Sequence, residues 1–381
     1  MTKNTMTRRD FVRTAGYAGA AVAALSASPL APAAEGEKLT LALVGGAHIH
    51  TPSFVNLLKN RKDVWVKWVW DHDAGRAQNR AQALNTRPAN NPAKEARVAR
   101  EASEVWSDPE VKAVVICSET NRHPELIAAA AKAGKHMFAE KPLGITARES
   151  FAMAKAIEEA GLLFTTGYFM RGQSHHLFLK EQVAAGAFGK ITHVRGSNCH
   201  SGSLGGWFDT EWRWMADPKI AGVGAFGDLG THSLDILMWL FGDVEEGTAD
   251  IKVVTGRYGD CDESGEGLLR FKNGITATLA AGWVDVENPV SLLISGTEGH
   301  AVIMNNDLYF RSQKVAGANG KEPWDKLPKP AREPLHQFVD AVAGKKDQPL
   351  VTPREAAARV AVMEALYQGC QGRTWVKPLQ G

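Results

Sequence analysis

The stretch "LTLALVGGAHIHTPSF", residues 39–54, decides how the chain begins to fold. Leu39 to Val44 form an apolar run of the length expected for a strand buried on both faces. The run ends on Gly45-Gly46, and "SFVNLLKN" (53–60) then reads as a short helix. Strand, glycine turn and helix are the parts of a dinucleotide-binding unit, in which turn amides and the helix N-terminus face phosphate. Where G-x-G-x-x-G would place its second and third glycines, this chain has Ala47 and His50. By itself the turn leaves three readings open: a dinucleotide, a metal held through His48 and His50, or neither.

The pattern around this stretch alternates strand and helix up to residue 168. Strands are expected at 64–70 ("VWVKWVW"), 110–117, 135–140 and 162–168, with helices at 74–84, 123–134 and 147–161. A polar stretch, 85–95, loops outward between them. This rhythm predicts a doubly wound parallel sheet, a Rossmann fold, which binds ligands at the carboxyl ends of its strands. Asp71 closes the second strand about twenty residues past the turn, where a carboxylate would hydrogen-bond an adenosine ribose. Its charge repels a 2′-phosphate and favours NAD, while Arg76 beside it keeps NADP possible.

After residue 169 the rhythm changes. A helix (175–187) leads to a strand (190–198), a glycine- and tryptophan-rich loop through residue 222, and a helix at 231–241. Six strands follow between residues 249 and 313, joined by turns such as Lys272-Asn273-Gly274, and helices at 333–343 and 353–371 close the chain. The second domain is therefore expected to be α+β with an open, mainly antiparallel sheet. The expected division is 38–168 for the dinucleotide domain and 169–381 for a domain that binds substrate and mediates oligomerisation. The open sheet face points to a homodimer or tetramer.

Composition narrows the class of protein. A chain of 381 residues with 44 % hydrophobic and 23 % charged residues is long enough for two cores. A formal charge of +2 gives no reason to expect nucleic acid or an anionic membrane surface. Cys117, Cys199, Cys261 and Cys370 are scattered, which suits free thiols, with Cys117 buried at a strand end. Residues 1–33 stand apart: Arg8-Arg9 and Phe11 precede a weakly apolar, alanine-rich run ending in an A-x-A match at Ala31–Ala33. This resembles a twin-arginine export signal, so the mature protein is expected to be exported already folded, to the periplasm or beyond. No apolar run is long enough for a membrane span.

Two constellations carry chemistry. The third strand ends in "CSETNRHPE" (117–125) and the fourth in "FAEKPLG" (138–144), so both polar sets collect at one sheet edge. A lysine fixed between Glu140 and Pro142 at a strand end is poorly explained as a solubility device. In "GVGAFGDLGTHSLDILMWLFG" (222–242), Asp228, His232 and Asp235 are spaced four and three apart, so a helix starting near Asp228 puts them on one face. A structural reading makes Asp228 a cap and His232 a core histidine. A catalytic reading makes His232 a base titrating near neutrality and oriented by Asp228, taking a hydroxyl proton while the carbon loses hydride.

Taken in order, the E-K-P triplet after Gly134–His136, the D-x-G-x-H-x-x-D run, "ISGTEG" (294–299) and the closing "FVDAVAG…PLVTPREAAARVAVMEALYQG" resemble the Gfo/Idh/MocA oxidoreductases. The resemblance covers residues 38–379 and implies NAD, with NADP possible, as cofactor. It implies cofactor contacts from the turn (Gly45, Gly46, Ala47, His48, Ile49, His50), from Asp71, from Glu119, Asn121 and His123, and from Glu140 and Lys141. Lys141, Asp228 and His232 match the family's catalytic lysine, aspartate and histidine, and no metal is expected. Arg171, Trp207 and Trp214 are candidates for a substrate wall, because sugars stack on indole and pair with guanidinium.

An exported enzyme cannot draw on a nicotinamide pool, so the resemblance and the signal together predict a tightly retained cofactor regenerated by the substrates themselves. Two chemistries satisfy this. One is oxidoreduction on a sugar, sugar derivative or polyol hydroxyl. The other is an NAD-dependent glycosidase route through transient oxidation, elimination, hydration and re-reduction, with His200, Tyr168 or Glu211 as an added base. A non-catalytic binding protein is a third reading, prompted by the missing loop glycines.

Overall fold

A computed structural model describes residues 38–86 and 94–381. The signal-like segment, 1–33, lies outside the described residues. The first sheet is built from β1 (Leu39–Val44), β2 (Val64–Trp70), β3 (Arg97–Val98), β4 (Ala113–Ile116), β5 (His136–Ala139) and β6 (Phe164–Thr166). All neighbours pair parallel, in the order β3-β2-β1-β4-β5-β6. Helices α1 (Thr51–Asn60), α2 (Ala74–Asn85), α3 (Ala102–Ser107), α4 (His123–Lys132) and α5 (Ala147–Glu159) connect them.

Strand alternation splits the apolar side chains between two cores. Leu41 and Leu43 of β1 join Ala113 and Val115 of β4 in one core, whereas Ala42 and Val44 join Val114 and Ile116 in the other. Burial on both faces explains why these strands are continuous apolar runs. The chain reverses its direction of travel across the sheet between β1 and β4, the crevice where such sheets bind dinucleotides. The 45–50 turn and the loop after β4 both open there.

The second domain begins with α6 (Ser174–Ala184) and β7 (Ile191–Cys199), followed by α7 (Pro218–Ala221) and α8 (Ala225–Phe241). Its remaining strands are β8 (Val244–Lys252), β9 (Ser264–Phe271), β10 (Thr276–Gly282), β11 (Val290–Gly296), β12 (Gly299–Met304), β13 (Asp307–Ser312) and β14 (Asn319–Pro323). The eight strands run in the order β14-β13-β12-β11-β7-β10-β9-β8. All pairs are antiparallel except β7 with β10, so the sheet is mixed rather than purely antiparallel.

Helix α8 starts at Ala225, six residues before the expected 231. Apart from Asp228 and Trp239 it is buried along its whole length, wedged between the sheet and the C-terminal helix. Helices α9 (Pro334–Val342) and α10 (Pro353–Gly372) return to the first domain. Leu335, Phe338 and Val339 pack with Phe54 and Phe138 in one core of the nucleotide sheet, and Ala356, Ala357 and Val360 pack in the other. Further along α10, Val362, Met363 and Leu366 enter the core of the second domain.

Candidate active site

The turn after β1 is shaped by its two glycines. Gly45 has φ +78°, and a Cβ there would lie 2.5 Å from the Ser118 backbone nitrogen. A Cβ on Gly46 would meet the Arg80 side chain at 2.8 Å. The Gly45 amide donates to the Trp70 carbonyl and the His48 amide to that of Cys117, tying the turn to β2 and β4. The amides of Ala47 and Ile49 have no partner among the described residues. They are the turn's free donors for an anion.

Asp71 ends β2 as expected, buried, but its carboxylate is bound by protein donors. Oδ2 accepts from the Gly46 amide at 2.6 Å and from Arg76 Nε at 2.7 Å, and Oδ1 accepts from the Asp73 amide and from Arg76 Nη2. The same Arg76 Nη2 reaches Glu119 at 2.8 Å. Arg76 is therefore part of the ribose corner, and a sugar hydroxyl there would share Asp71 with it.

His48, His50 and Glu140 bring three potential metal ligands within 4.8 Å of one another. Glu140 is fully buried; its Oε2 accepts from the Lys141 amide at 2.8 Å, and His50 Nδ1 lies 3.1 Å from Oε1. Burial opposes charge on Glu140, and the two imidazoles outweigh it, so the carboxyl titrates below its ordinary range. Burial pushes His48 down to about 3. Its Nδ1 accepts the His50 amide at 3.2 Å, so the neutral ring carries its proton on Nε2, the nitrogen 3.9 Å from Glu140. That tautomer presents a donor where a metal would need a lone pair, which argues for a hydrogen-bonding cluster over a cation site. His123, also buried, bonds the Leu143 carbonyl and braces the E-K-P turn, while Asn121 lies exposed beside it.

Lys141 follows the end of β5 and precedes a cis bond to Pro142, and its side chain reaches α8. Its Nζ donates to Asp228 Oδ1 at 2.6 Å. The other carboxylate oxygen accepts from the indole nitrogen of Trp283 at 3.2 Å, and Trp283 is completely buried. Burial alone would raise the Asp228 carboxyl; Lys141 instead holds it down at about 2. The helix is capped at Gly224, so Asp228 sits inside the first turn and is not the cap that a structural reading assigned it.

His232 lies one turn on, its ring 5.1 Å from Phe169 and 6.1 Å from Tyr168. Two expectations for it need correction. Asp228 is committed to Lys141 and Trp283 and forms no hydrogen bond with His232 among the described residues. Burial, reinforced by the Lys141 charge, pushes His232 well below neutrality. The imidazole is therefore neutral, and its buried Nδ1 has no hydrogen-bond partner among the described residues. An unpaired buried nitrogen beside a lysine and a carboxylate is an opening for a ligand hydroxyl.

Other candidates fall elsewhere. Asp235 lies one turn beyond His232 on α8 and is gripped by Arg171 at 2.6 and 2.8 Å and by Arg359 at 2.9 Å. That pairing draws Arg171 into a separate cavity with Glu355 and Trp239, away from Lys141, so the structure does not place it in a substrate wall with the catalytic groups. Trp207 is half exposed and stacks near His200. Trp214 donates from its indole to the Ala47 carbonyl at 3.2 Å and stands 6.1 Å from the His48 ring. Glu211, on the same loop, pairs with Arg80, which in turn donates to the Gly46 carbonyl. The loop 200–222 thus lies across the glycine turn. Arg80, Trp283 and Phe169 were not singled out in the sequence; only the "AAGWV" strand end hinted at a buried tryptophan.

A parallel nucleotide sheet, a glycine turn with free amides and a lysine facing an aspartate and a neutral histidine define a two-domain protein built to bind a dinucleotide. Comparison with known proteins agrees. An oxidoreductase family with an NAD-binding Rossmann fold matches residues 39–168, and the GFO/IDH/MocA C-terminal domain matches residues 176–302. The chain belongs to the Gfo/Idh/MocA family. It is similar to a levoglucosan dehydrogenase of Pseudarthrobacter phenanthrenivorans, 30% identical over 222 residues, 52% of this chain and 56% of that protein. It also resembles a myo-inositol 2-dehydrogenase of Thermotoga maritima, 34% identical over 184 residues, 46% of this chain and 51% of the relative. The chain thus spans about half the length of these curated relatives. The WlbA dehydrogenase of Bordetella pertussis, solved with NADH and UDP-GlcNAcA, shares the fold, with a TM-score of 0.76 at 18% identity over 91% of this chain and 99% of its own.

Proposed function

We propose that the protein is an NAD(H)-dependent oxidoreductase acting on a hydroxyl of a sugar, sugar derivative or polyol. The observation that carries this reading is the neutral, unpaired His232 imidazole beside the Lys141–Asp228 pair, at the sheet edge where a nicotinamide would lie. The residues fit the cofactor: a turn that only glycine can make at residue 45, free amides on Ala47 and Ile49, and a polar corner of Asp71, Arg76 and Glu119 for the ribose. Bound there, NAD supplies the acceptor for a hydride. Lys141 would donate a hydrogen bond to the reacting oxygen and favour its negative form as the proton leaves. His232 would take that proton, and Asp228 would fix the lysine while Trp283 fixes Asp228.

The relatives' names support a carbohydrate or cyclitol hydroxyl as the target. A retained cofactor and a location outside the cytoplasm belong to the same proposal, motivated by Arg8-Arg9 and by the loop lying over the turn. The glycosidase route is supported by one observation: His200 stands close enough to Asp228 and Lys141 to feel both charges, whereas Tyr168 bonds Thr231 and Glu211 bonds Arg80. The test is to denature purified protein, assay the supernatant for nicotinamide, and then follow the absorbance of reduced cofactor while sugars and polyols are added to the native holoprotein. Failure of every sugar and polyol to change the cofactor's redox state would sink the oxidoreductase reading.

A further inference from the structure

A groove opens directly beside the catalytic cluster, at the end of β7. Phe169 lines it, 42 % exposed, with its ring centroid 5.1 Å from that of His232. Asn198 and Cys199 of β7 also line it, and Asn198 is tied to α8, the helix that carries Asp228 and His232, through the Leu229 carbonyl. Glu287, Asn288 and Gln173 contribute polar side chains to the lining. The open groove has a volume of about 540 Å³, within the range of roughly 300–1,000 Å³ typical of small-ligand clefts.

The chemistry of the lining is selective. Asn288 is held rigid: Oδ1 accepts from the Ser197 hydroxyl at 2.7 Å, and Nδ2 donates to the Ser197 carbonyl at 3.3 Å. Asn198 donates to the Leu229 carbonyl at 3.1 Å, leaving its Oδ1 free to accept. The side chains of Gln173 and Glu287 have no hydrogen-bond partner among the described residues. Asn305 and Asn306 also border the groove, but their φ values of +50° and +67° close the β12–β13 hairpin, which is reason enough for asparagine there. Among the described residues no lysine, arginine or histidine lines the groove, and Glu287 adds a negative charge. The lining therefore disfavours phosphate or carboxylate and suits a neutral molecule with hydroxyls on its rim and C–H bonds on its face.

We propose that this groove is a subsite for a second, uncharged sugar ring, joined to the ring whose hydroxyl meets Lys141 and His232. The substrate class is then a glycoside or disaccharide rather than a free monosaccharide or a sugar phosphate. The proposal rests on the sugar-oxidoreductase reading for the first ring, and the geometry of the groove supplies the second.

The holoprotein is titrated with methyl glucoside and with trehalose, maltose and cellobiose, reading both cofactor reduction and saturation transfer to each sugar ring by NMR. At least one disaccharide is expected to show transfer to its second ring, and to exceed methyl glucoside in kcat/KM. Glu287→Ala and Gln173→Ala, which break no hydrogen bond within the protein, are expected to lower the disaccharide-to-methyl-glucoside ratio of kcat/KM about tenfold, as loss of one ligand hydrogen bond would. No second-ring transfer from any disaccharide, or a ratio unmoved in both variants, overturns the subsite. Second-ring transfer that disappears in the variants while no sugar reduces the cofactor would leave the subsite standing and overturn the oxidoreductase reading.

Discussion

Lys141 Nζ stands 2.6 Å from Asp228 Oδ1, and this ion pair joins the end of strand β5 in the nucleotide domain to the first turn of helix α8 in the second domain. The lysine is almost wholly buried, so neither charge can be removed without exposing the other to a poorly solvated environment. Lys141→Met is expected to abolish turnover and to cost about 3–5 kcal/mol of stability by orphaning Asp228. Lys141→Met combined with Asp228→Asn should recover part of that stability and none of the activity. Chemical denaturation of the two variants separates these effects; equal stability of the single and double variants would show that the pair is not coupled.

His232→Asn is expected to lower kcat by about 10²–10⁴, the usual share of a general base. Because the wild-type Nδ1 has no partner among the described residues, the variant should lose little stability. A large drop in melting temperature with modest loss of turnover would instead identify His232 as a core residue.

The loop over the glycine turn gives a kinetic expectation. Glu211→Ala combined with Trp214→Phe removes its bonds to Arg80 and the Ala47 carbonyl. Dissociation of NADH should accelerate about tenfold for each ~1.4 kcal/mol by which those bonds stabilise the closed loop. Stopped-flow decay of tryptophan-to-NADH energy transfer measures this rate, and an unchanged rate would remove the loop from cofactor retention.

Arg171 should behave as a structural residue. Arg171→Met leaves Asp235 with Arg359 as its remaining partner, so a loss of about 1–3 kcal/mol is expected, with KM for the sugar unaltered. A rise in KM without destabilisation would return Arg171 to the substrate wall.

Acid should destabilise the protein through its buried histidines. Burial lowers His176 from 6.5 to about 4. Between those values the unfolded chain binds a proton that the folded chain refuses, so stability falls as pH falls, by about 1.4 kcal/mol per pH unit at most, and the loss levels off below the folded value. His176→Asn should flatten the dependence of the unfolding midpoint across this window, which denaturation at several pH values would measure.

Much of the fold is legible in the sequence because periodicity reports burial. Five strands of the first sheet announce themselves as apolar runs, whereas the two-residue β3 (Arg97–Val98) does not, and β11 falls where a strand is expected. The first six residues of α8 are not legible, because Gly224, Gly227 and Gly230 read as loop. Packing demands them: a Cβ on Gly227 would meet Val223 at 2.3 Å, and Gly230 lies against Met363 and Ala281. The spacing of Asp228 and His232 correctly puts them one turn apart, yet Asp228's partners, Lys141 and Trp283, come from other strands and no local pattern reveals them. Arg171 misled for the opposite reason, since its chemistry suits a sugar but Asp235 is nearer.

Helices α9 and α10 carry a consequence for biosynthesis. Leu335, Phe338 and Val339 complete one core of the nucleotide sheet, and Ala356, Ala357 and Val360 complete the other. A ribosome that has made residues 38–168 has therefore produced a sheet with both faces only partly covered, and the gaps persist until α9 and α10 have been made. Folding of the nucleotide domain is complete only once α10 has left the ribosome, and a fragment ending at residue 168 would expose the surfaces that α9 and α10 cover, making it prone to aggregate.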